Sequence, residues 1–353
     1  MLHYVPMVVT RKERSGVQLR SSQTARDGDV FEQTLRPRKI TEYIGQSEIK
    51  GHILVRVQAA RTRGEPLGHT LLHGPPGLGK TTLAYILAQE MGSNLRIASG
   101  PSIEKPGDLA SLLTNLAQGD ILFIDEIHRM RPAIEEVLYS AMEDFALDLV
   151  IGKGPSARSM RLDLKPFTLV GATTKIGSMS APLRDRFVHQ FKLSFYAPVE
   201  MQQIVERTSG ILGVDCEKSA IHRIAGSARA TPRIANRLVR SIRDFAQVEG
   251  EKTVTIDRVE TTLTALGIDA RGLDRTDRCI LESIITKFAG GPVGLSTLAA
   301  VTAEEEDTLE DVYEPYLLQQ GFLQRTAKGR VVTKHAYEVL GMRAPEGVQG
   351  AML

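Results

Sequence analysis

From residue 69 to residue 174 the chain alternates short apolar runs with stretches whose apolar positions recur at helical spacing. The runs are HTLLHG (69–74), ILFID (121–125) and FTLVGATT (167–174). Short apolar runs bounded by turn residues read as buried strands, and TTLAYILAQEMG after the first reads as a helix closed by Gly92. Such alternation, taken over residues 35–196, predicts an α/β domain with a parallel sheet and crossover helices. Residues 197–268 carry no strand signal. There PRIANRLVRSIRDFAQVEG puts Ile234, Leu238, Ile242 and Phe245 at helical spacing, with Thr231 as N-cap and Pro232 at the first helical position. Residues 269–353 begin with a helix over 274–289 and a Gly-Gly-Pro break. Two more helices follow, and then FLQRT, AKG and RVVT read as a hairpin. Leu309, Val312, Tyr313, Tyr316 and Leu317 make one apolar face despite Pro315, and Gly321 ends that helix. Three helices and a hairpin predict a winged-helix domain.

Length and composition change this picture little. At roughly 100–200 residues per domain, 353 residues fit two or three domains. A 42% hydrophobic and 24% charged chain can bury ordinary cores. The formal net charge of +2 gives no global signal for nucleic acid, although a local basic patch is compatible with it. The two cysteines, Cys216 and Cys279, are far apart, which argues against a disulfide framework and fits a reducing cytoplasm. No apolar run approaches the ~20 residues of a membrane helix. MLHYVPMVVTRKER places its apolar stretch before its basic residues, the reverse of a secretory signal, so residues 1–34 read as a flexible polar tail.

The chemistry enters with GPPGLGKT, Gly74 to Thr81, which matches G-x-x-x-x-G-K-[ST] between a strand and a helix. Gly74, Gly77 and Gly79 let backbone N–H groups close around phosphates, and the helix that follows points its positive end at them. Lys80 is positioned to reach the β- and γ-phosphates of ATP. The Thr81 hydroxyl is positioned to bind Mg²⁺, with Thr82 beside it. In ILFIDEIH, Asp125 and Glu126 stand at the carboxyl end of a buried strand, where ligands of α/β sheets lie. Asp125 suits Mg²⁺, and Glu126 suits orienting the attacking water. His128 reads as structural. In GATT a hydroxyl, Thr174 in preference to Thr173, can contact the γ-phosphate or the water. Arg184 and Arg186 of APLRDRF sit two apart and point differently; a guanidinium from a neighbouring subunit can stabilise transition-state charge. Arg233 lies in the first turn of its helix, where a cation opposes the dipole, which suggests contact with nucleotide.

These five elements, in this order, resemble the Walker A, Walker B, sensor 1, arginine-finger and sensor 2 motifs of AAA+ ATPases. LRPRKITEYIGQ, HTLLHGPPGLGKTTLA, LFIDEIHR, SARATPRIANRLVRSIRDFA, KFAGGPVGL and EPYLLQQGFLQRTAKGR are similar to the RuvB family, over about residues 35–345. The resemblance implies an AAA+ core, a helical lid and a C-terminal winged-helix head. It implies an ATP-driven hexameric ring on double-stranded DNA that moves Holliday junctions in recombination and repair, with the junction-binding protein RuvA and the resolvase RuvC as partners. It implies Arg186 as a finger acting on a neighbour and Arg233 as sensor 2. Leu35, Arg36, Tyr43, Ile44 and Tyr196 then cradle adenine and ribose, and Leu149, Val150 and Ile151 meet RuvA. The family pattern departs at Val188, where glycine is usual after PLRDRF, and at SARATP, where glycine is usual before Thr-Pro.

The expected recognition helix is acidic, from Glu304 to Glu314, so phosphates repel it. The cations Arg325, Lys328, Arg330 and Lys334 lie on or beside the hairpin, a grip for phosphates without sequence readout. Resemblance assigns DNA contact to Arg325 and Arg330. The rival reading is an ATP-dependent DNA-binding switch of the origin-recognition or clamp-loader type, which joins the same core to a winged helix.

Overall fold

Seven strands accompany the first set of helices: β1 (Thr70–His73), β2 (Leu95–Ser99), β3 (Ile121–Asp125), β4 (Ala146–Ile151), β5 (Arg158–Asp163), β6 (Thr168–Thr173) and β7 (His189–Lys192). In this computed structural model residues 34–151 and 158–345 are described. The chain divides into two units, Met1–Pro37 and Arg38–Leu353, and every element named here belongs to the second. β4 and β5 pair as an antiparallel hairpin, and the other five strands form one parallel sheet in the order β2-β3-β6-β1-β7.

Alternation along the central strands builds two cores. Ile121 and Phe123 of β3, Leu72 of β1, and Val170 and Ala172 of β6 enter one cluster. Leu122 and Ile124, Leu71 and Leu169 enter the other. The first cluster is closed by α1 (Ser47–Arg63) and α2 (Lys80–Met91), the second by α3 (Pro106–Thr114), α4 (Pro132–Glu143) and α5 (Ala181–Asp185). A strand covered on both faces needs apolar residues at successive positions, which is why ILFID and TLVGAT are nearly continuous runs. Each large side chain buried this way stabilises the fold by about 1.5–3 kcal/mol. β2 and β7 lie at the sheet's edges and are half exposed, so they lack the apolar run that marks the others.

The next layer is helical: α6 (Pro198–Ile211), α7 (Lys218–Ser227), α8 (Pro232–Val248) and α9 (Ile256–Ala265). It also holds two short strands, β8 (Asp215–Cys216) and β9 (Thr253–Val254), which pair in parallel and correct the strand-free reading of this region. Two residues are too few to leave a periodic signal. Thr231 does precede α8, but its hydroxyl donates to Arg229 O (2.8 Å) and caps nothing. Arg229 and Ala230 both adopt left-handed backbone, φ 52° and 51°, at the place where the family pattern carries glycine.

The last segment is α10 (Arg275–Phe288), α11 (Leu295–Thr302), α12, the hairpin β10 (Leu323–Thr326) and β11 (Gly329–Val332), and α13 (Lys334–Val339). α12 joins Glu306–Thr308, a π turn over Leu309–Tyr313, and Glu314–Gln319. The wide turn rotates Val312 out of the expected apolar face; it is 47% exposed, while Leu309, Tyr316 and Leu317 are buried. Val293 bridges Arg330 and extends the hairpin, completing a winged helix.

Arg229 ties the helical layer to the winged segment. Its buried guanidinium pairs with the fully buried Asp277 and with Asp274 (2.7 Å), and lies 5.3 Å from the Tyr316 ring. Removing one member of a buried ion pair strands the other charge. Arg229→Ala, which leaves the fully buried Asp277 without its cation, should therefore lower stability by about 3–5 kcal/mol. Urea unfolding checks this; an unchanged midpoint would contradict the pinning role.

Candidate active site and duplex-binding wing

The P-loop leaves β1 at Gly74 and enters α2 at Lys80. Gly77 and Gly79 hold left-handed backbone, φ 78° and 99°. A Cβ at Gly77 would fall 2.6 Å from Thr231 Cγ2, and one at Gly79 would fall 2.8 Å from Tyr43 Oη. Both glycines are thus required by conformation and by space. Lys80 is buried and donates to Gly74 O (2.7 Å) and Pro75 O (2.9 Å). Burial pushes its ammonium down to about 8, against the pull of the Glu126 and Asp125 carboxylates. Thr81 and Thr82 follow in the first turn of α2, both half-buried.

The order β3-β6-β1 puts the end of β6 between the P-loop and the acidic pair. Asp125 closes β3 and accepts from Glu126 N (3.0 Å). Glu126 takes left-handed backbone, φ 48°, which turns its carboxylate toward Thr174 (Oγ1 to Oε2, 3.4 Å) and His128 (Nδ1 to Oε2, 3.3 Å). Burial, then the charge of Asp125, raises the Glu126 pKa. His128 also meets Thr173 Oγ1 (2.9 Å), and burial lowers its own pKa. The two threonines of GATT therefore divide the work: Thr173 holds His128, and Thr174 reaches the carboxylate. His128 touches Glu126 directly, a contact that motif spacing does not reveal.

Tyr43 and Tyr196 converge from opposite ends of the domain. Tyr196 Oη lies 3.0 Å from both Tyr43 Oη and Leu78 O, and Tyr43 Oη lies 3.3 Å from Leu78 O. Both phenols are buried on the P-loop carbonyl; burial pushes Tyr196 up to about 12 and Tyr43 well above its ordinary range. Ile44 packs against the same cluster. Leu35 is buried and Arg36 half-buried, and both belong to the unit Met1–Pro37. Arg233 N approaches Gly77 O (3.4 Å), so α8 starts over the P-loop. A cavity of about 520 Å³ opens here, lined by Pro75, Pro76, Gly77 and Arg233, and by Asp311 and Tyr313 from α12.

Arg186 is folded against α4. Nη1 donates to Pro182 O (2.8 Å), Nη2 lies 3.0 Å from Glu143, and the guanidinium sits 4.5 Å from the Tyr139 ring centre. Arg184 lies 3.6 Å from Asp185 and is more exposed. Leu149, Val150 and Ile151 lie on β4, paired with Met160, Ser159 and Arg158; their side chains fall outside the described residues. On the wing, Arg325 and Arg330 both pair with the buried carboxylate of Glu314. Arg330 is mostly covered, whereas Arg325 is 47% exposed and also donates to Glu310 (3.0 Å). Sequence spacing marked the basic wing but not the glutamate beneath it.

The residues fit a Mg²⁺·nucleotide. Magnesium is held through one or two protein oxygens plus phosphates. Among the described residues Asp125 has no ion-pair partner, and Thr81 stands at the head of α2.

Binding of a triphosphate should draw a proton onto Lys80. The free ammonium titrates near 8, and bound phosphates hold it charged. Above that pH the free lysine is neutral and must be protonated to pair, so affinity should fall by up to about tenfold per pH unit. Binding heats at pH 8 in two buffers of different ionisation enthalpy check the uptake; equal heats would contradict it.

Three family models match the chain in succession. Residues 35–193 match the Holliday junction DNA helicase RuvB P-loop domain. Residues 196–269 match the RuvB AAA lid domain, and residues 270–341 the RuvB C-terminal winged helix domain. A solved structure described as the Thermotoga maritima RuvB Holliday junction branch migration motor is 48% identical. The match covers 88% of this chain and 100% of that one, with a TM-score of 0.82. A mutant form of the same protein matches with a TM-score of 0.83, at 48% identity over 88% of this chain and 99% of that one.

Proposed function

We propose how a chain that belongs to the RuvB family of Holliday junction DNA helicases does its work: ATP cleavage in a cleft between neighbouring subunits of a hexameric ring drives double-stranded DNA through the ring and moves a four-way junction. The convergence of Lys80, Glu126, Thr174 and Arg233 around one P-loop carries this reading. Lys80 neutralises the β- and γ-phosphates as its carbonyl partners are exchanged for phosphate oxygens. Glu126 orients the water and accepts its proton, and Thr174 fixes that carboxylate. Thr81 and Asp125 would hold Mg²⁺, which supplies positive charge to the β- and γ-oxygens. Tyr43, Ile44 and Tyr196 bound the base and ribose. Arg233 reports the nucleotide to the lid, and Arg186 completes the site of the next subunit.

Double-stranded DNA is held through phosphates by the wing. The exposed Arg325 is the stronger contact, and Arg330 engages as Glu314 releases it. A grip of this kind is indifferent to base sequence, which suits a motor and disfavours an origin-recognition switch. The apolar residues Leu149, Val150 and Ile151 dock the partner RuvA, and RuvC acts at the same junction. Among the described residues no helix is long and apolar enough to cross a membrane.

Migration of a synthetic four-way junction, with and without RuvA, tests the reading. ATP-dependent movement that RuvA stimulates supports it; sequence-selective duplex binding without movement would favour the switch. For the wing, Arg325→Ala should reduce the slope of log Kd against log salt by about 0.9 on any duplex. An unchanged slope would remove Arg325 from the phosphate contacts.

A further inference from the structure

Lys175 follows Thr174 directly and reaches the winged head. Its ammonium donates to Asp307 (2.8 Å) and lies 3.3 Å from Asp311 and 3.5 Å from Glu310. All three carboxylates belong to α12. The π turn of Leu309–Tyr313 carries Glu310 and Asp311. Such turns are rare and recur at functional sites. Asp311 does a second thing: it lines the cavity shared with Pro75, Pro76, Gly77 and Arg233. One head carboxylate therefore stands on the P-loop side of the cleft. Its charge is felt at Lys80, Glu126 and His128, although burial dominates each of those three groups.

Two facts combine here. A triphosphate brings more negative charge than a diphosphate, at the end of the cleft bounded by Thr174 and Glu126. The docked head already presents carboxylates at that end, held there by the cation next to Thr174. We infer that Asp311 is a specificity-determining residue of the ATPase site: while Lys175 latches the head, Asp311 opposes the γ-phosphate and favours ADP. By linkage, a bound triphosphate loosens the latch by the same factor. The inference rests on the assignment of the P-loop and Thr174 to nucleotide, and it concerns the ratio of two affinities rather than the existence of binding.

The test is equilibrium displacement of a fluorescent ADP from the full-length chain, with Mg²⁺, by ADP and by a non-hydrolysable ATP analogue. Asp311→Asn should tighten the analogue relative to ADP by about three- to tenfold, the range for one charge acting across a partly hydrated cleft. Asp311→Glu keeps the charge and should keep the wild-type ratio. Lys175→Met should shift the ratio in the same direction, because the head is released. The opposite sign is expected if Lys175 simply attracts phosphate. In the double variant the Asp311→Asn effect should vanish. An unchanged ratio in Asp311→Asn, a weakened analogue in Lys175→Met, or full additivity of the two would each overturn the proposal. If Asp311→Asn fails to fold, the sign of the Lys175→Met shift decides alone. A Lys80→Ala protein that binds nucleotide as tightly as wild type would instead remove the P-loop assignment, whatever the ratio does.

Discussion

A Glu126→Gln protein should bind ATP much as the wild type does and turn it over about 10²–10⁴ times more slowly, the usual contribution of a positioned general base. The amide keeps the size of the carboxylate and can still accept from Thr174 Oγ1, now at 3.4 Å. What it loses is the proton acceptor. Glu126 suits that task because burial and Asp125 raise its pKa, bringing it nearer the working range than an exposed glutamate. The sign follows: the base must be ionised, so turnover should fall as pH drops through this raised pKa. The Gln variant should lose that acid limb. Fluorescent-nucleotide titration reads binding, and steady-state phosphate release reads turnover. Normal turnover by this variant would sink the assignment. Lys80→Ala gives the contrasting result, loss of binding itself, because the P-loop cation is then gone.

The nucleotide-binding half of this machinery was legible because it is written in contiguous residues. A P-loop must place glycines at fixed offsets, and a buried strand must be apolar on successive positions before Asp125 and Glu126 emerge at its end. The same rule made β1, β3 and β6 readable and hid β2 and β7, whose edge positions admit polar residues. Contacts between distant segments left no such trace. Nothing in the spacing of LFIDEIH says that His128 will meet both Thr173 and Glu126. Nothing in the acidic run of α12 says that Lys175, 132 residues earlier than Asp307, will neutralise it. Repulsion of phosphates by that helix follows from its charge alone. Its docking on the ATPase core requires the fold. Arg325 and Arg330 were legible as wing cations, but the carboxylate of Glu314 that organises them is buried 11 and 16 residues away. The π turn could not be anticipated either, since Val312 fits a regular apolar face and only the observed backbone turns it outward.

Arg186→Ala should leave ATP affinity within a few-fold and lower turnover by about 10³–10⁵, the range for an arginine supplied to a phosphoryl-transfer site. In the isolated chain this guanidinium is parked on its own surface. Glu143, Pro182 O and the face of Tyr139 hold it, and its Nε is buried without a hydrogen-bond partner. A buried unpaired N–H costs about 1–3 kcal/mol. The parked state is therefore held incompletely, and on the proposed reading a neighbour's γ-phosphate would offer these donors a better acceptor. If the finger acts on the adjoining subunit, loss of Arg186 in one chain and of Lys80 in another can be repaired by mixing. A ring assembled from Arg186→Ala and Lys80→Ala subunits contains junctions where an intact P-loop faces an intact finger. Such mixtures should recover a measurable part of wild-type turnover, far above that of either variant alone. The dependence on mixing ratio should peak between the pure variants, since productive junctions need both partners. A mixed ring as inactive as its parents would mean that Arg186 does not serve the neighbouring site, and Arg184 would be the residue to test next.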